Sequence, residues 1–330
     1  MEDKFWKDRR VFVTGATGFI GSWLVRELLK HGAYVVVLVR DIDPQSELYR
    51  SGDIGRVHVV SGSLEDFLTL QRAIVEHETT TVFHLGAQTL VEVAYRFPLQ
   101  TFESNIRGTY NLLEACRIHR DIVQQIVIAS SDKAYGEKTS LPYTEDMSLE
   151  GRYPYDVSKS CTDLIAQSYY YTYNMPVAIA RCGNVYGGGD LNWSRIVPGT
   201  IRSFLFKQNP IIRSDGTYRR DYIYVKDVVR AYMLLAQKLD LPEVQGQAFN
   251  FSTEKPLAVL EIVSIIQKLM NAYDLEPKIL NYAKAEIRDQ FLCSKKAREV
   301  LNWQPQFDIE AGITETIDWY RKFFESKYGA

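Results

Sequence analysis

Cysteine and histidine are scarce in this sequence, and their scarcity excludes two kinds of site. Four cysteines occur among 330 residues, widely spaced and without a CxxC pair. This spacing argues against a disulfide framework or a zinc site and is typical of reduced thiols in a cytoplasmic protein. Because the chain has only five histidines, we also expect no bound metal.

Long apolar runs and a strong net charge are also missing. No apolar run reaches the about 18 residues of a membrane span, and the first residues lack the charged-then-apolar pattern of a signal peptide. The net charge of −2 argues against a nucleic-acid partner, which would require a basic surface. We therefore expect a soluble, cytoplasmic protein with neither a membrane nor a nucleic-acid partner.

Short β-branched runs alternate with longer amphipathic stretches up to residue 182. Strands joined by helical crossovers run parallel, because each helix returns the chain to the same end of the sheet. The pattern predicts an α/β fold, with a doubly wound parallel sheet and helices on both faces. The predicted strands are residues 10–14, 34–39, 57–60, 81–85, 125–129 and 177–181, and the predicted helices are residues 18–31, 64–77, 101–120 and 154–173.

A GxxGxxG turn lies directly between the first predicted strand and the first predicted helix. In this order glycines let the backbone approach a pyrophosphate, and the helix N-terminus offers unpaired N–H groups to the anion. The alternative is a glycine-rich turn without a ligand. The order of strand, turn and helix favours a Rossmann-type dinucleotide site. Its predicted residues are Gly15, Thr17, Gly18, Phe19, Ile20 and Gly21.

The end of the second predicted strand gives a mixed indication of the cofactor. An acidic residue there binds the ribose 2′-hydroxyl of NAD, whereas an arginine accepts the 2′-phosphate of NADP. The sequence has Arg40 followed by Asp41. Arg40 lies closer to the strand, which by this criterion alone favours NADP, and the choice stays open.

The regular alternation of β-branched runs and amphipathic stretches ends after residue 182. A glycine-rich loop at 187–190 precedes short elements, a strand at 248–252 and helices at 258–272 and 309–324. No linker rich in glycine, serine or proline separates the two parts. We therefore expect a dinucleotide-binding domain at 1–182, with returning segments near 220–252, packed against a smaller α/β substrate-binding region at 183–330.

Tyr155 and Lys159 lie four residues apart at the start of a predicted helix, and so on one helix face. A neighbouring ammonium group stabilises a phenolate, which predicts a lowered pKa for Tyr155 and a role as a base. The alternative is an exposed helix with an incidental pair. An apolar strand upstream ends in polar residues that include Ser131, where parallel strands face a ligand crevice.

Together these motifs resemble the extended short-chain dehydrogenase/reductase family, which includes the NAD-dependent nucleotide-sugar epimerases and dehydratases. The resemblance covers nearly the whole chain. It includes the glycine turn, residues 83–88 (FHLGAQ), Asn105, residues 108–109, Tyr155 with Lys159, residues 181–187 (RCGNVYG), residues 219–225 (RRDYIYV), and a tail from 294–297 (SKKA) to 303–305 (WQP).

The resemblance implies an NAD cofactor, with NADP open, and a homodimer formed through the helices at 101–120 and 154–173. It implies that Ser131 orients the reacting hydroxyl for Tyr155 and Lys159. The further cofactor-binding residues that it implies are Leu85, Gly86, Ala87, Asn105, Tyr155 and Lys159.

The two residues after Ser131 distinguish members of this family. Simple 4-epimerases usually have small or apolar residues there, whereas 4,6-dehydratases have ionisable ones, and this chain has Asp132 and Lys133. Ser-Asp-Lys resembles the CDP-glucose 4,6-dehydratase subfamily in particular. That likeness implies oxidation at carbon 4 of a nucleotide-linked hexose, loss of water, and return of the hydride to carbon 6.

The resemblance gives Asp132 the role of general acid for water loss. Lys133 is a base at carbon 5 if it is neutral, or an electrostatic anchor for the enolate if it is charged. An Asp132–Lys133 surface pair that caps a turn is the structural alternative. The functional alternatives are a 4-epimerase, a uronate decarboxylase and, more remotely, a non-catalytic dinucleotide sensor.

A nucleotide-diphosphate sugar carries two negative charges, and arginine forks suit them well. The resemblance places Arg220, Arg288 and Asn184 at the diphosphate. The complete predicted substrate set is Gln88, Asn184, Arg195, Arg213, Arg220 and Arg288.

Overall fold

The computed structural model describes residues 3–282 and 287–328. Its strands are β1 (Arg10–Thr14), β2 (Tyr34–Val39), β3 (His58–Ser61), β4 (Thr81–His84), β5 (Gln125–Ala129), β6 (Val177–Cys182), β7 (Asn184–Tyr186), β8 (Ile211–Ile212), β9 (Arg219–Arg220), β10 (Tyr222–Tyr224), β11 (Ala248–Phe251), β12 (Leu257–Ala258), β13 (Lys278–Ile279) and β14 (Asp289–Gln290).

The α-helices fill most of the intervals between the strands. They are α1 (Asp3–Trp6), α2 (Phe19–Lys30), α3 (Glu47–Arg50), α4 (Phe67–Glu76), α5 (Val91–Arg96), α6 (Pro98–Phe102), α7 (Gly108–Ile118), α8 (Pro154–Tyr173), α9 (Ile196–Leu205), α10 (Val225–Gln237), α11 (Val259–Met270), α12 (Lys295–Leu301) and α13 (Ile309–Tyr328). Asp53–Arg56 and Asp132–Tyr135 are 3-10 turns, and Glu103–Arg107 is a π-helical turn.

Seven parallel strands form the central sheet, in the order β11-β6-β5-β4-β1-β2-β3. Almost every residue of β1, β2 and β6 is buried, as expected where helices cover both faces of a parallel sheet. The chain leaves β1 first toward β2 and later toward β4, so the strand order reverses there. In such sheets ligands bind outside the carboxyl ends of the strands at this switch point.

The predicted fold class is confirmed, and the differences lie mainly at element boundaries. The predicted helix at 101–120 begins earlier, at Pro98, and passes through the π-helical turn before α7. The helix predicted at 154–173 has those bounds. Pro154 occupies its first turn, where a missing N–H costs nothing, and Asn174 ends it in the left-handed conformation.

Residues after β6 form small sheets and helices beside the central sheet. β11 returns to pair with β6, β7 pairs with β10, and β9 lies between β12 and β14. Three of the described helices here, α9, α10 and α12, were not predicted from the sequence. Within the described residues, no helix has the length and apolar character that a membrane crossing requires.

Candidate functional site

A cavity of about 1920 Å³ opens at the carboxyl ends of the central strands, between the sheet and the elements that follow β6. Single small-molecule ligands occupy pockets of about 300–1,000 Å³, so this cavity has room for a dinucleotide and a second ligand. The predicted site residues that line it are Gly15, Thr17, Gly18, Phe19, Ile20, Gly21, Arg40, Asp41, Leu85, Gly86, Ala87, Ser131, Asp132, Lys133, Tyr155, Lys159, Asn184, Arg195, Arg213 and Arg220.

The glycine turn has the close backbone approaches that require glycine. Gly15 has a φ of +71°, and a Cβ atom on it would lie 2.6 Å from the Gly86 nitrogen. A Cβ atom on Gly21 would lie 2.1 Å from the Gly15 carbonyl oxygen. Gly18 caps α2 without a side-chain hydrogen bond, which leaves the first amides of the helix available to an anion. These residues fit a pyrophosphate.

A buried histidine that was not predicted from the sequence supports this turn. His84 Nδ1 lies 2.8 Å from the Thr14 hydroxyl, and its Nε2 lies 3.1 Å from the Thr109 hydroxyl. The Thr14 hydroxyl in turn accepts a hydrogen bond from the Gly86 amide. Burial lowers the pKa of His84 to about 3, so the ring is neutral. The network fixes the loop after β4 against the glycine turn.

The end of the cavity near β2 is more acidic than the Arg40–Asp41 pair alone indicated. Arg40 Nε donates to Asp41 Oδ2 at 2.6 Å, so one carboxylate already compensates the arginine charge. Asp43 and Glu65 also line this end. The 2′-phosphate of NADP would meet three carboxylates here, whereas the ribose 2′-hydroxyl of NAD could donate a hydrogen bond to one of them.

Ser131 and Asp132 lie together where β5 ends. The Ser131 hydroxyl lies 3.0 Å from Asp132 Oδ1, and it accepts a hydrogen bond from the Lys133 amide at 3.2 Å. Asp132 is 4% exposed, and burial raises the pKa of its carboxyl. A carboxylic acid with a raised pKa keeps its proton at higher pH, as a general acid must. The buried position rules out the alternative of a surface pair.

Tyr155 and Lys159 lie on the cavity wall, on the face of α8 that was predicted. The Lys159 ammonium donates to the Ala129 carbonyl at 2.8 Å, and burial lowers its pKa to about 8. The prediction that Lys159 lowers the pKa of Tyr155 was wrong for this structure. Burial raises the pKa of Tyr155 to about 12, and the charge of Arg195 opposes this shift. In this structure the phenol therefore holds its proton at neutral pH.

Three predicted residues lie off the cavity wall. Asn105 is buried behind it, where its amide Oδ1 accepts a hydrogen bond from the Gln88 amide and its Nδ2 donates to the Gln88 carbonyl and to Ser158. Asn105 therefore supports the loop after β4, and Gln88 turns its side chain to the Leu90 carbonyl. Arg288 is exposed, and its carbonyl accepts a hydrogen bond from Arg220 Nη1 at 2.7 Å.

The other predicted phosphate ligands approach the cavity from separate elements. Arg220 is largely buried on β9, whereas Arg195 directly precedes α9 as its N-cap and forms an ion pair with Asp190 at 3.0 Å. Arg213 and Asn184 complete this part of the wall. Three guanidinium groups thus lie on the cavity wall, one of them paired with Asp190, and such groups can bind a diphosphate.

Two carboxyl groups near Asp132 were not predicted from the sequence. Asp156 follows Tyr155 on α8 and lines the cavity. Asp221 is fully buried beneath Gly183, and burial raises its pKa to about 7. A Cβ atom on Gly183 would lie 2.8 Å from the Asp221 Cβ and 3.8 Å from Asp132 Oδ2. Only the tertiary structure places these groups beside Asp132.

Comparison with known proteins agrees with this geometry. The family model described as GDP-mannose 4,6 dehydratase matches residues 12–316. The chain is 29% identical to a CDP-glucose 4,6-dehydratase of Salmonella typhimurium, over 99% of this chain and 94% of that protein. It is 28% identical to a UDP-glucuronate 4-epimerase of Thermodesulfobacterium geofontis, over 95% of this chain and 96% of that protein.

Solved structures of both kinds of enzyme share the fold. The dTDP-glucose 4,6-dehydratase DesIV of Streptomyces venezuelae, solved with NAD bound, has a TM-score of 0.86 at 26% identity, covering 95% of this chain and 97% of that chain. A UDP-glucose 4-epimerase of Thermotoga maritima, solved with UDP-glucose, has a TM-score of 0.87 at 29% identity, covering 96% of this chain and 100% of that chain. With the family model matching residues 12–316, the chain belongs to the GDP-mannose 4,6-dehydratase family of extended short-chain dehydrogenases/reductases.

Proposed function

We propose that this protein is a nucleotide-hexose 4,6-dehydratase that converts CDP-glucose to its 4-keto-6-deoxy derivative. The observation that carries the proposal is the buried Asp132 carboxyl beside the Ser131 hydroxyl, at the end of β5. A 4-epimerase needs no acid at this position, whereas loss of water from carbon 6 does. The CDP-glucose 4,6-dehydratase among the relatives supports the same choice.

Each residue of the site then has a chemical task. Ser131 would orient the carbon 4 hydroxyl toward Tyr155. Because the phenol holds its own proton at neutral pH, Tyr155 could receive this proton only as a phenolate, which the positive charge of a bound nicotinamide ring would favour. Lys159 would contact the cofactor ribose. Asp132 gives a proton to the departing carbon 6 hydroxyl, and Arg195, Arg213 and Arg220, with Asn184, hold the diphosphate. The bound dinucleotide supplies the hydride acceptor that is regenerated within each cycle.

A product assay tests this function. We expect the purified protein to convert CDP-glucose to a 4-keto-6-deoxy sugar, recognised by its absorbance in alkali and by mass spectrometry. Other nucleotide hexoses, assayed in parallel, define the base and sugar that the protein accepts. The second candidate is a 4-epimerase, which the epimerases among the relatives favour. Interconversion of epimers without loss of water would replace the dehydratase proposal by that one.

NAD is the proposed cofactor. The dehydratase neighbour DesIV holds NAD, and the ion pair between Arg40 and Asp41, with Asp43 and Glu65 nearby, leaves little net positive charge for a 2′-phosphate. We expect mass spectrometry of the nucleotide released from the purified protein to identify NAD. Recovery of NADP would contradict this assignment.

We further propose that the protein is a cytoplasmic homodimer, with residues 183–330 mostly devoted to the nucleotide sugar. Exposed apolar side chains on α7 and α8 support a dimer, among them Tyr110, Leu164 and Tyr171, which are 42%, 54% and 72% exposed. Pairing of these helices with their copies would cover them.

Light scattering checks the dimer. We expect a dimer mass for the wild type and a monomer mass for the double variant Leu164→Asp/Tyr171→Asp, because a buried unpaired charge opposes association. The control is Tyr273→Asp, because Tyr273 follows α11 and its side chain is 66% exposed. This variant should stay dimeric. A monomeric wild type, or a dimeric double variant, would contradict this assembly.

A further inference from the structure

Asp156 is a buried carboxyl group in the cavity to which the proposed reaction does not yet assign a task. It is the third residue of α8, is 4% exposed and lines the cavity. Across residues 3–282 and 287–328, no side chain or backbone group forms a hydrogen bond with its carboxylate. Within the described residues, no hydrogen bond therefore ties this carboxylate to the fold, and the residue lies on the cavity wall. Such a group is a candidate for chemistry rather than for stability.

The position of Asp156 is fixed against the 3-10 turn that carries Asp132 and Lys133. The Ser160 hydroxyl lies 2.8 Å from the Ala134 carbonyl oxygen of that turn and 3.1 Å from the Asp156 carbonyl oxygen. On the other side, a Cβ atom on Gly151 would lie 2.5 Å from the Asp156 carbonyl carbon. The first turn of α8 therefore has little freedom to move relative to the catalytic turn.

Lys133 has two carboxyl neighbours, and this bears on its role. Its charge opposes the effect of burial on both Asp132 and Asp156, and burial raises the pKa of Asp156 to about 6. At neutral pH Asp156 is therefore mostly ionised, yet more basic than an ordinary aspartate. A position beside two carboxyl groups suits an electrostatic role for Lys133.

We propose that Asp156 is the base that removes the proton from carbon 5, and that Lys133 remains charged and stabilises the enolate oxygen on carbon 4. The inference rests on the proposed dehydratase function and adds a catalytic residue to it. It also decides between the two roles that the sequence left open for Lys133.

The elimination step balances with the groups at hand. The carbon 5–hydrogen bond of the 4-keto sugar breaks, and its proton passes to an Asp156 carboxylate oxygen. The released electron pair forms the double bond between carbons 5 and 6 while the carbon 6–oxygen bond breaks. The hydroxyl leaves as water with a proton from Asp132. No electrons are gained or lost overall in this step, and the proton on Asp156 is available for return to carbon 5.

A small side pocket borders Asp156. Its volume is about 60 Å³, and its walls are Gly136, Glu137, Arg152, Tyr153, Asp156 and Ile287. A polar pocket of this size has room for a water molecule, to which we expect Asp156 to pass its proton. The proton on Asp156 would therefore exchange with solvent during turnover, and the product formed in heavy water should carry deuterium at carbon 5.

The test compares Asp156→Ala and Asp156→Asn with the wild type, using the purified protein with its own cofactor and CDP-glucose. Asp146→Ala is the matched control, because Asp146 is an exposed aspartate outside the cavity. Circular dichroism establishes whether each variant is folded. If Asp156→Ala is not folded, the isosteric Asp156→Asn variant provides the comparison with the wild type. Two quantities are measured: transient reduction of the cofactor and formation of the 4-keto-6-deoxy product.

We expect both Asp156 variants to reduce the cofactor but to form product about 100-fold or more slowly, since general bases contribute this much. Added formate should restore part of the rate of Asp156→Ala, because it can enter the vacated space as a base. Lys133→Met should also be slow, but formate should not restore it. The control should behave as the wild type.

Several results would overturn the inference. Product formation by the Asp156 variants within about 3-fold of the wild type would exclude a base at this position. A slow Asp156→Ala variant that does not respond to formate, while Lys133→Met responds to an added amine, would make Lys133 the base. If the wild type forms product, these outcomes overturn only the role of Asp156. A wild type that forms no 4-keto-6-deoxy product overturns the proposed function and this inference together.

Discussion

Replacing Asp132 by asparagine is expected to separate oxidation of the sugar from loss of water. Asparagine keeps the size of the side chain but cannot give a proton to the departing hydroxyl. The elimination should slow by about 100-fold to 10,000-fold, the usual contribution of a general acid. Ser131 and Tyr155 are unchanged, so the variant should still reduce its cofactor when CDP-glucose is added. Stopped-flow absorbance of the reduced nicotinamide, followed beside product formation, checks both steps.

Tyr155→Phe is the natural comparison for this variant. Without the phenol hydroxyl, neither cofactor reduction nor product should appear at the wild-type rate. If the Asp132→Asn variant lost both steps equally, Asp132 would act before elimination. It would then serve, for example, to orient the Ser131 hydroxyl, which lies 3.0 Å from Asp132 Oδ1. An Asp132→Asn variant with the full product rate would remove the main support for a dehydratase.

Gly21→Ala is expected to have the largest effect on cofactor binding. The added methyl group would lie 2.1 Å from the Gly15 carbonyl oxygen, and neither backbone segment can move without changing the turn. Forced overpacking of this kind costs about 1–3 kcal/mol, and about 1.4 kcal/mol weakens binding tenfold. We therefore expect the variant to purify with little dinucleotide and to bind added NAD about 10-fold or more weakly.

Gly55→Ala is the matched control for the glycine turn. Gly55 is exposed, lies in the 3-10 turn Asp53–Arg56, and has no atom within 4 Å of the position that a Cβ would take. It should retain wild-type cofactor content and thermal stability. If Gly21→Ala bound NAD as tightly as this control, the turn at residues 15–21 would not be the pyrophosphate site.

Features that depend on local patterns were predictable from the sequence. The alternation of strands and helices and the helix at 154–173 follow from hydrophobic periodicity, which needs only near neighbours along the chain. The glycine turn is likewise local, because its close approach between Gly15 and Gly21 occurs within seven residues. Family membership follows from these motifs together, and the family model confirms it.

The catalytic roles of Ser131, Asp132, Tyr155 and Lys159 stay predictions, although the structure brings all four to one cavity. Asn105 and Arg288 illustrate what the motifs could not show. A motif names a residue but not the direction of its side chain. Asn105 turns inward to Gln88 behind the wall, and Arg288 lies at the surface.

The fold class, the glycine turn and the residues at the end of β5 follow from patterns within short segments of the chain. How the residues around that site ionise depends on tertiary packing. The pKa values of Tyr155, Lys159 and Asp156 are shifted first by burial, and burial depends on segments far apart in the chain. Likewise, Asp156 meets Lys133 only because α8 packs against the turn after β5, a contact between distant residues that no local pattern encodes.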